Sequence, residues 1–132
     1  MIIDSWRVLI GIIDGIITVY DINTLQVLCQ LIETKGCTMF SVSERNSLLA
    51  VLNKKKLTLY LWRGTNFIIR KELNLPDVAK TILCTQNVLI AGYKRHYESI
   101  DLTSLSSHRY YNQLLILFNH YHYNYYQFNR FR

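Results

Sequence analysis

A match of the chain to itself at an offset of 40 residues constrains its fold more than any other feature. Leu9-Ile10-Gly11 returns as Leu49-Ala50-Val51 and again as Leu89-Ile90-Ala91. Ile17-Thr18-Val19-Tyr20 returns as Leu57-Thr58-Leu59-Tyr60, with a looser third copy in Tyr97-Glu98-Ser99-Ile100. The two apolar runs of each copy flank turn-type residues at matching positions: Asp14-Gly15, Lys54-Lys55 and Lys94-Arg95. Asp-Gly favours a tight hairpin, because both central residues of a type I′ turn need positive φ. At twice the period, Asp21-Ile22-Asn23-Thr24-Leu25 returns as Asp101-Leu102-Thr103-Ser104-Leu105, at the exit from the hairpin.

Between the hairpins lie further short strand candidates at 26–32, 37–42, 66–73 and 80–84, so each period holds about four strands. Four strands per repeat predicts an all-β fold, a partial β-propeller of about two and a half blades. A β-sandwich has strands at similar intervals but requires no copies at a fixed offset. A propeller closes with about four blades or more, so the chain is expected to be a fragment with open strand edges and an incompletely buried core. The expected domain covers residues 1–107, and 108–132 form an irregular tail rich in Tyr, Asn and Phe. Alternating Tyr and polar residues from His120 to Tyr125 would suit an added edge strand or an aggregating segment.

Composition narrows the function more than it names it. Fifteen Lys and Arg against nine Asp and Glu leave +6, which permits nucleic acid, anionic lipid or an acidic protein surface as partner. Three of those charges, Arg109, Arg130 and Arg132, lie in the tail. Cys29, Cys37 and Cys84 fit neither a disulfide framework nor a zinc spacing, and read as small buried hydrophobes of a reducing compartment. The apolar run from Val8 to Tyr20 is interrupted by Asp14 and too short to span a bilayer as a helix, and the N-terminus lacks the pattern of a secretory signal. A cytoplasmic protein is the default expectation.

Catalysis has no foothold in these residues. The glycines are scattered, no Ser or Cys sits in a nucleophile motif, and His120 and His122 lack the acid or thiol that would make a metal site. No cofactor, metal, nucleic acid or small-molecule substrate is expected. Trp6, Tyr20, Tyr60 and Trp62 could form a stacking platform, but their placement on strand repeats favours core packing. The candidate binding feature is basic: Lys54, Lys55 and Lys56, with the echo Lys94 and Arg95, at one turn of adjacent blades and therefore on one rim. Such a ridge would suit an acidic protein or an anionic membrane surface, and the plainer alternative is a row of solvated turn tips. His96, in the register of Lys56, reads as an exposed turn residue.

Four blocks carry a family resemblance: Lys35-Gly36-Cys37, the run Lys54 to Trp62, the run Leu75 to Lys80, and Ala91-Gly92-Tyr93-Lys94-Arg95. In order and spacing they resemble the citron-homology (CNH) domain of the Vam6/Vps39-like family, over residues 6 to about 105. The resemblance implies a vesicle-tethering subunit of HOPS or CORVET type, peripherally bound to late endosome, lysosome or vacuole membranes and acting through small GTPases and other tether subunits. The TGF-β-receptor-associated proteins carry a similar domain, which leaves a signalling adaptor as the alternative. A decayed or mispredicted gene piece is the third. The family's propeller begins about a blade earlier and continues for several blades and a helical repeat region. From His108 the family match is expected to stop, as if translation ran past an exon end.

Overall fold

Side chains alternate across a strand, so each apolar run can bury one row of residues and offer the other to a neighbouring sheet. The computed structural model describes residues 1–104 in full and the backbone of 107–111. Strands β1 (Ile2–Ile3), β2 (Val8–Ile13), β3 (Ile16–Asp21) and β4 (Val27–Leu31) form the first sheet. The second holds β5 (Met39–Ser43), β6 (Leu48–Asn53), β7 (Lys56–Trp62) and β8 (Phe67–Asn74). The third holds β9 (Thr81–Cys84), β10 (Val88–Gly92), β11 (His96–Asp101) and β12 (Ser107–Tyr111). Strands lie in chain order, and the pairing is antiparallel throughout.

The repeat is a repeat of register. Leu9 pairs with Tyr20, Leu49 with Tyr60 and Leu89 with Ile100. The intervening strand candidates correspond to β4, β5, β8 and β9. Three sheets are present where about two and a half blades were expected. The difference is β12, which begins in the last residue of the expected domain and runs into the aromatic stretch assigned to the tail. The expectations for residues 112–132 lie outside the described residues.

The hairpin turns divide by chemistry. Asp14 and Gly15 both have positive φ, 54° and 78°, as an Asp-Gly type I′ turn requires. Gly15 is also crowded: a Cβ there would sit 3.2 Å from the Gly36 amide nitrogen, which donates to the Gly15 carbonyl. The turn β6–β7 has only Lys54 at positive φ, 57°. At the hairpin exits, Asp21 Oδ1 accepts from the amides of Asn23 and Thr24, and Asp101 Oδ1 from those of Thr103 and Ser104. The echo at twice the period is thus one Asx turn used twice. Hydrogen bonds to the ionised form hold both carboxyls below the usual range. For Asp101 the Thr103 hydroxyl contributes most and the pKa falls to about 2, while for Asp21 the Thr24 amide contributes most.

The second sheet is covered on both faces. Leu49, Val51, Tyr60 and Phe67 pack against Ile10, Ile17, Val19 and Leu31 of the first sheet, making a first seam. On the other face Leu48, Ala50, Leu52, Leu57 and Leu59 pack against Ile82, Leu89, Ala91 and Ile100 of the third, making a second seam. β5 and β9 touch each other across the second seam, which places the first strands of the second and third sheets side by side. The remaining faces of the first and third sheets carry the exposed aliphatics Ile2, Ile13, Val27 and Leu83.

Candidate protein-binding rim

In each sheet, the turn between the second and third strands emerges at the same end, because the register is shared. That end gathers the basic residues. Lys54 and Lys55 form the β6–β7 turn, while Lys94 and Arg95 lie in the three-residue turn between β10 and β11. All four are exposed. The linkers entering β5 and β9 reach the same end and add Lys35 and Lys80, each exposed. They are tied down there by backbone bonds: Gly36 N to Gly15 O, Thr38 N to Leu52 O, and Lys80 N to Gly92 O.

Two residues assigned to the turns by sequence lie elsewhere. Lys56 is the first residue of β7, and its Nζ lies 2.8 Å from Glu72 Oε1 on β8. Its charge is therefore locally matched, and the free ridge consists of Lys54, Lys55, Lys94 and Arg95, which make no ion pair among the described residues. His96 is not an exposed turn residue but the half-buried start of β11, stacked on Tyr93 with ring centroids 4.4 Å apart. Tyr93 and His96 bracket Lys94 and Arg95, so the stack fixes the root of the turn from which those two charges project.

Behind the ridge, the first seam opens into a cavity of about 180 Å³ lined by Glu33, Thr34, Val51, Asn53, Lys56, Thr58, Tyr60, Ile69 and Glu72. Glu33 and Thr34 come from a single-turn 3₁₀ helix, Ile32–Thr34, that links β4 to β5. The Tyr60 hydroxyl donates to Glu33 Oε2 at 3.0 Å. Burial, and then the Glu33 carboxylate, raise the Tyr60 pKa and keep that proton in place. Sequence reading placed Tyr60 in the core and missed its polar end, because Glu33 arrives through a linker whose path no local pattern announces. Of the four aromatic residues expected in the core, Tyr60 is buried, Trp6 and Trp62 are half-buried against the first seam and stack on each other at 5.5 Å, and Tyr20 is half-buried outside both seams.

No group of three or more His, Cys, Asp or Glu among the described residues could hold a metal ion. The thiols are shifted away from reactivity, since burial raises the pKa of Cys29 and Cys37 and pushes that of Cys84 up to about 11. No described helix is long and apolar enough to cross a membrane.

A shared hairpin register, four antiparallel strands per sheet and face-to-face seams define this molecule as a run of β-propeller blades. Solved propeller-type structures share the fold. Kuenenia stuttgartiensis hydrazine synthase matches at a TM-score of 0.64 and 15% identity, over 78% of this chain and 32% of that one. Saccharomyces cerevisiae Sqt1 matches at 0.61 and 16%, over 76% and 28%. The CNH domain family model matches residues 2–123, and the chain belongs to that family. The match runs past His108, where the resemblance was expected to stop. The human Vam6/Vps39-like protein is 27% identical over 114 residues, and the Mus musculus protein 26%. The alignment covers 80% of this chain but only 13% of each relative, so the chain spans about an eighth of their length.

Proposed function

We propose that this chain is a non-enzymatic protein-interaction module of a vesicle-tethering subunit, working beside late endosome, lysosome or vacuole membranes. The observation that carries the reading is the basic ridge Lys54, Lys55, Lys94 and Arg95, which makes no ion pair among the described residues and lies on one rim of a CNH domain similar to Vam6/Vps39-like proteins. Charges of one sign on adjacent rigid turns speed and orient the encounter with an acidic surface, and lose strength as salt rises. A small GTPase or another tether subunit with an acidic face is the proposed partner, with anionic lipid as a peripheral contact. The chemistry of the rim supports docking, and nothing along it combines a nucleophile with a base.

The test is direct binding of the full chain to purified endolysosomal small GTPases in GTP-analogue form and to tether subunits, at two salt concentrations. Lys54→Glu with Lys94→Glu is expected to weaken binding at least about tenfold at low salt, with wild-type binding falling as salt rises. Binding that ignores both changes, or no binding to any of these partners, would contradict the reading.

A further inference from the structure

The outer strands of the first two sheets meet solvent with different chemistry. Among the described residues β4 pairs only with β3, and β8 only with β7, so each is the open edge of its sheet. In an antiparallel ladder every second residue of such a strand points its N–H and C=O away from the sheet, where they template a further strand. Proteins blunt these edges with bulges, proline or charged side chains. Both edges are bulged opposite one repeat position, between Val19 and Tyr20 and between Leu59 and Tyr60, so the bulge does not distinguish them. Charge does. β8 exposes Ile68 and Ile69 but follows them with Arg70, Lys71 and Glu72, all exposed. β4 lies within a run from Ile22 to Ile32 that contains no charged residue and no proline.

The β4 edge is also apolar. Leu25, Val27, Leu28 and Ile32 are 64%, 53%, 39% and 60% exposed. Leu25, just before the strand, is held against its own preference. Its φ is 60°, and the other described non-glycine residues with positive φ are all polar or charged: Arg7, Asp14, Ser47 and Lys54. Left-handed backbone is costly for a residue with a Cβ and is ordinarily given to Gly, Asn or Asp. The loop between β7 and β8 uses Gly64 for it, with φ at 94°. Within the folded chain neither the backbone nor the exposed side chain gains from leucine at this place, so its contribution lies in a contact outside the chain. Two features set the occupant. Open backbone groups take an extended strand, and an edge without charge would desolvate a charged segment while offering it no counter-ion. A second copy of the chain is disfavoured, because each copy carries +6.

We propose that the outer edge of β4 accepts an uncharged, aliphatic segment of a partner protein as a fifth antiparallel strand of the first sheet, with Leu25 as a side-chain anchor. The inference rests on the interaction-module reading and adds a second contact surface to the basic rim. β4 runs toward that rim, ending at Leu31 ahead of Lys35, so a partner seated on the ridge is placed to lay a strand along this edge.

The test is an NMR titration of the isotope-labelled full chain with acetyl-Gly-Val-Thr-Val-Thr-Val-Gly-amide, and in parallel with the same peptide methylated at its five Val and Thr amide nitrogens. Saturable shifts are expected at the amides of β4, from Val27 to Leu31, and not at those of Lys71 and Glu72 on β8. The methylated peptide keeps the side chains and loses the donors, so it should bind at least about tenfold more weakly, the scale of two or more lost hydrogen bonds. Leu28→Lys and Leu25→Asn should each weaken binding at least about threefold and leave the thermal midpoint of the chain unlowered, since both side chains are exposed. No saturable shift on β4, equal binding of the methylated peptide, an equal response on β8, or unchanged binding by both variants would overturn the proposal. So would a dimer of the chain alone that Leu28→Lys disperses, which would assign the edge to a second copy. The peptide carries no charge for the ridge, so Lys54→Glu should leave this titration unchanged. A failed GTPase experiment and a failed edge are therefore distinguishable.

Discussion

The first and second seams share one backbone frame and an aliphatic centre, and differ in what surrounds it. The second is aliphatic through its centre, with Leu48, Leu52, Leu57, Leu59 and Leu89 each at most 1% exposed, and its one buried carboxylate, Glu98, is bonded by Tyr93. The first adds rings to its aliphatic centre, Trp6 on Trp62 and Phe67 against Tyr60, and ends at the basic rim in a polar cavity. Blade repeats fix strand register, while the residues between registers are free to diverge.

The comparison breaks most visibly if the second seam is not the stronger of the two. Leu57→Ala removes a fully buried side chain and should cost about 2–5 kcal/mol in urea unfolding, whereas Thr58→Val, one residue along on the first-seam face, should change stability by less than about 1 kcal/mol. Equal losses would mean that the Thr58 hydroxyl is a structural group. The two tyrosines sharpen the same contrast. Tyr93→Phe leaves buried Glu98 without that donor and should cost about 1–3 kcal/mol, while Tyr60→Phe, whose acceptor Glu33 is exposed, should cost about 1 kcal/mol or less.

Gly15→Ala probes the frame itself, since φ is 78° and the added methyl would press on the Gly36 amide. A loss of about 1–2 kcal/mol is expected, with the pairing of β2 and β3 retained. The smallest effect is acid dependence. Asp21 and Asp101 have folded-state pKa values below their unfolded values, so the stability they add is present above about pH 4 and is lost as pH falls toward the folded value, about 2 for Asp101. Thermal melts between pH 5 and 2 should show a shallower decline for Asp101→Asn than for the wild type.

Much of the fold was legible because strand register is written in alternation. A two-residue period locks Leu9, Leu49 and Leu89 to the same face, and the 40-residue offset carries the lock from sheet to sheet. The Asx turns at Asp21 and Asp101 were legible for a similar reason, since the carboxylate bonds its own backbone two and three residues on. The candidate site was half legible. Lys54, Lys55, Lys94 and Arg95 lie on turns whose position the repeat fixes. The pairing of Lys56 with Glu72 depends on the register shift between Leu59 and Tyr60 against β8, a long-range event with no local signature. The cavity depends on Glu33 arriving by linker and on Glu72 turning away from Thr58, and His96 was misplaced because its ring is held by Tyr93, not by its own strand. The fourth strand of the third sheet was hidden in an aromatic stretch that mimics a tail.

Among the described residues, three sheets share one register, which should make them one folded unit. Hydrogen exchange on the full chain tests it most directly. Amides of β2, β3, β6, β7, β10 and β11 should be protected together and open in a single cooperative event. Exchange of the third sheet at unfolded rates while the first two remain protected would contradict it.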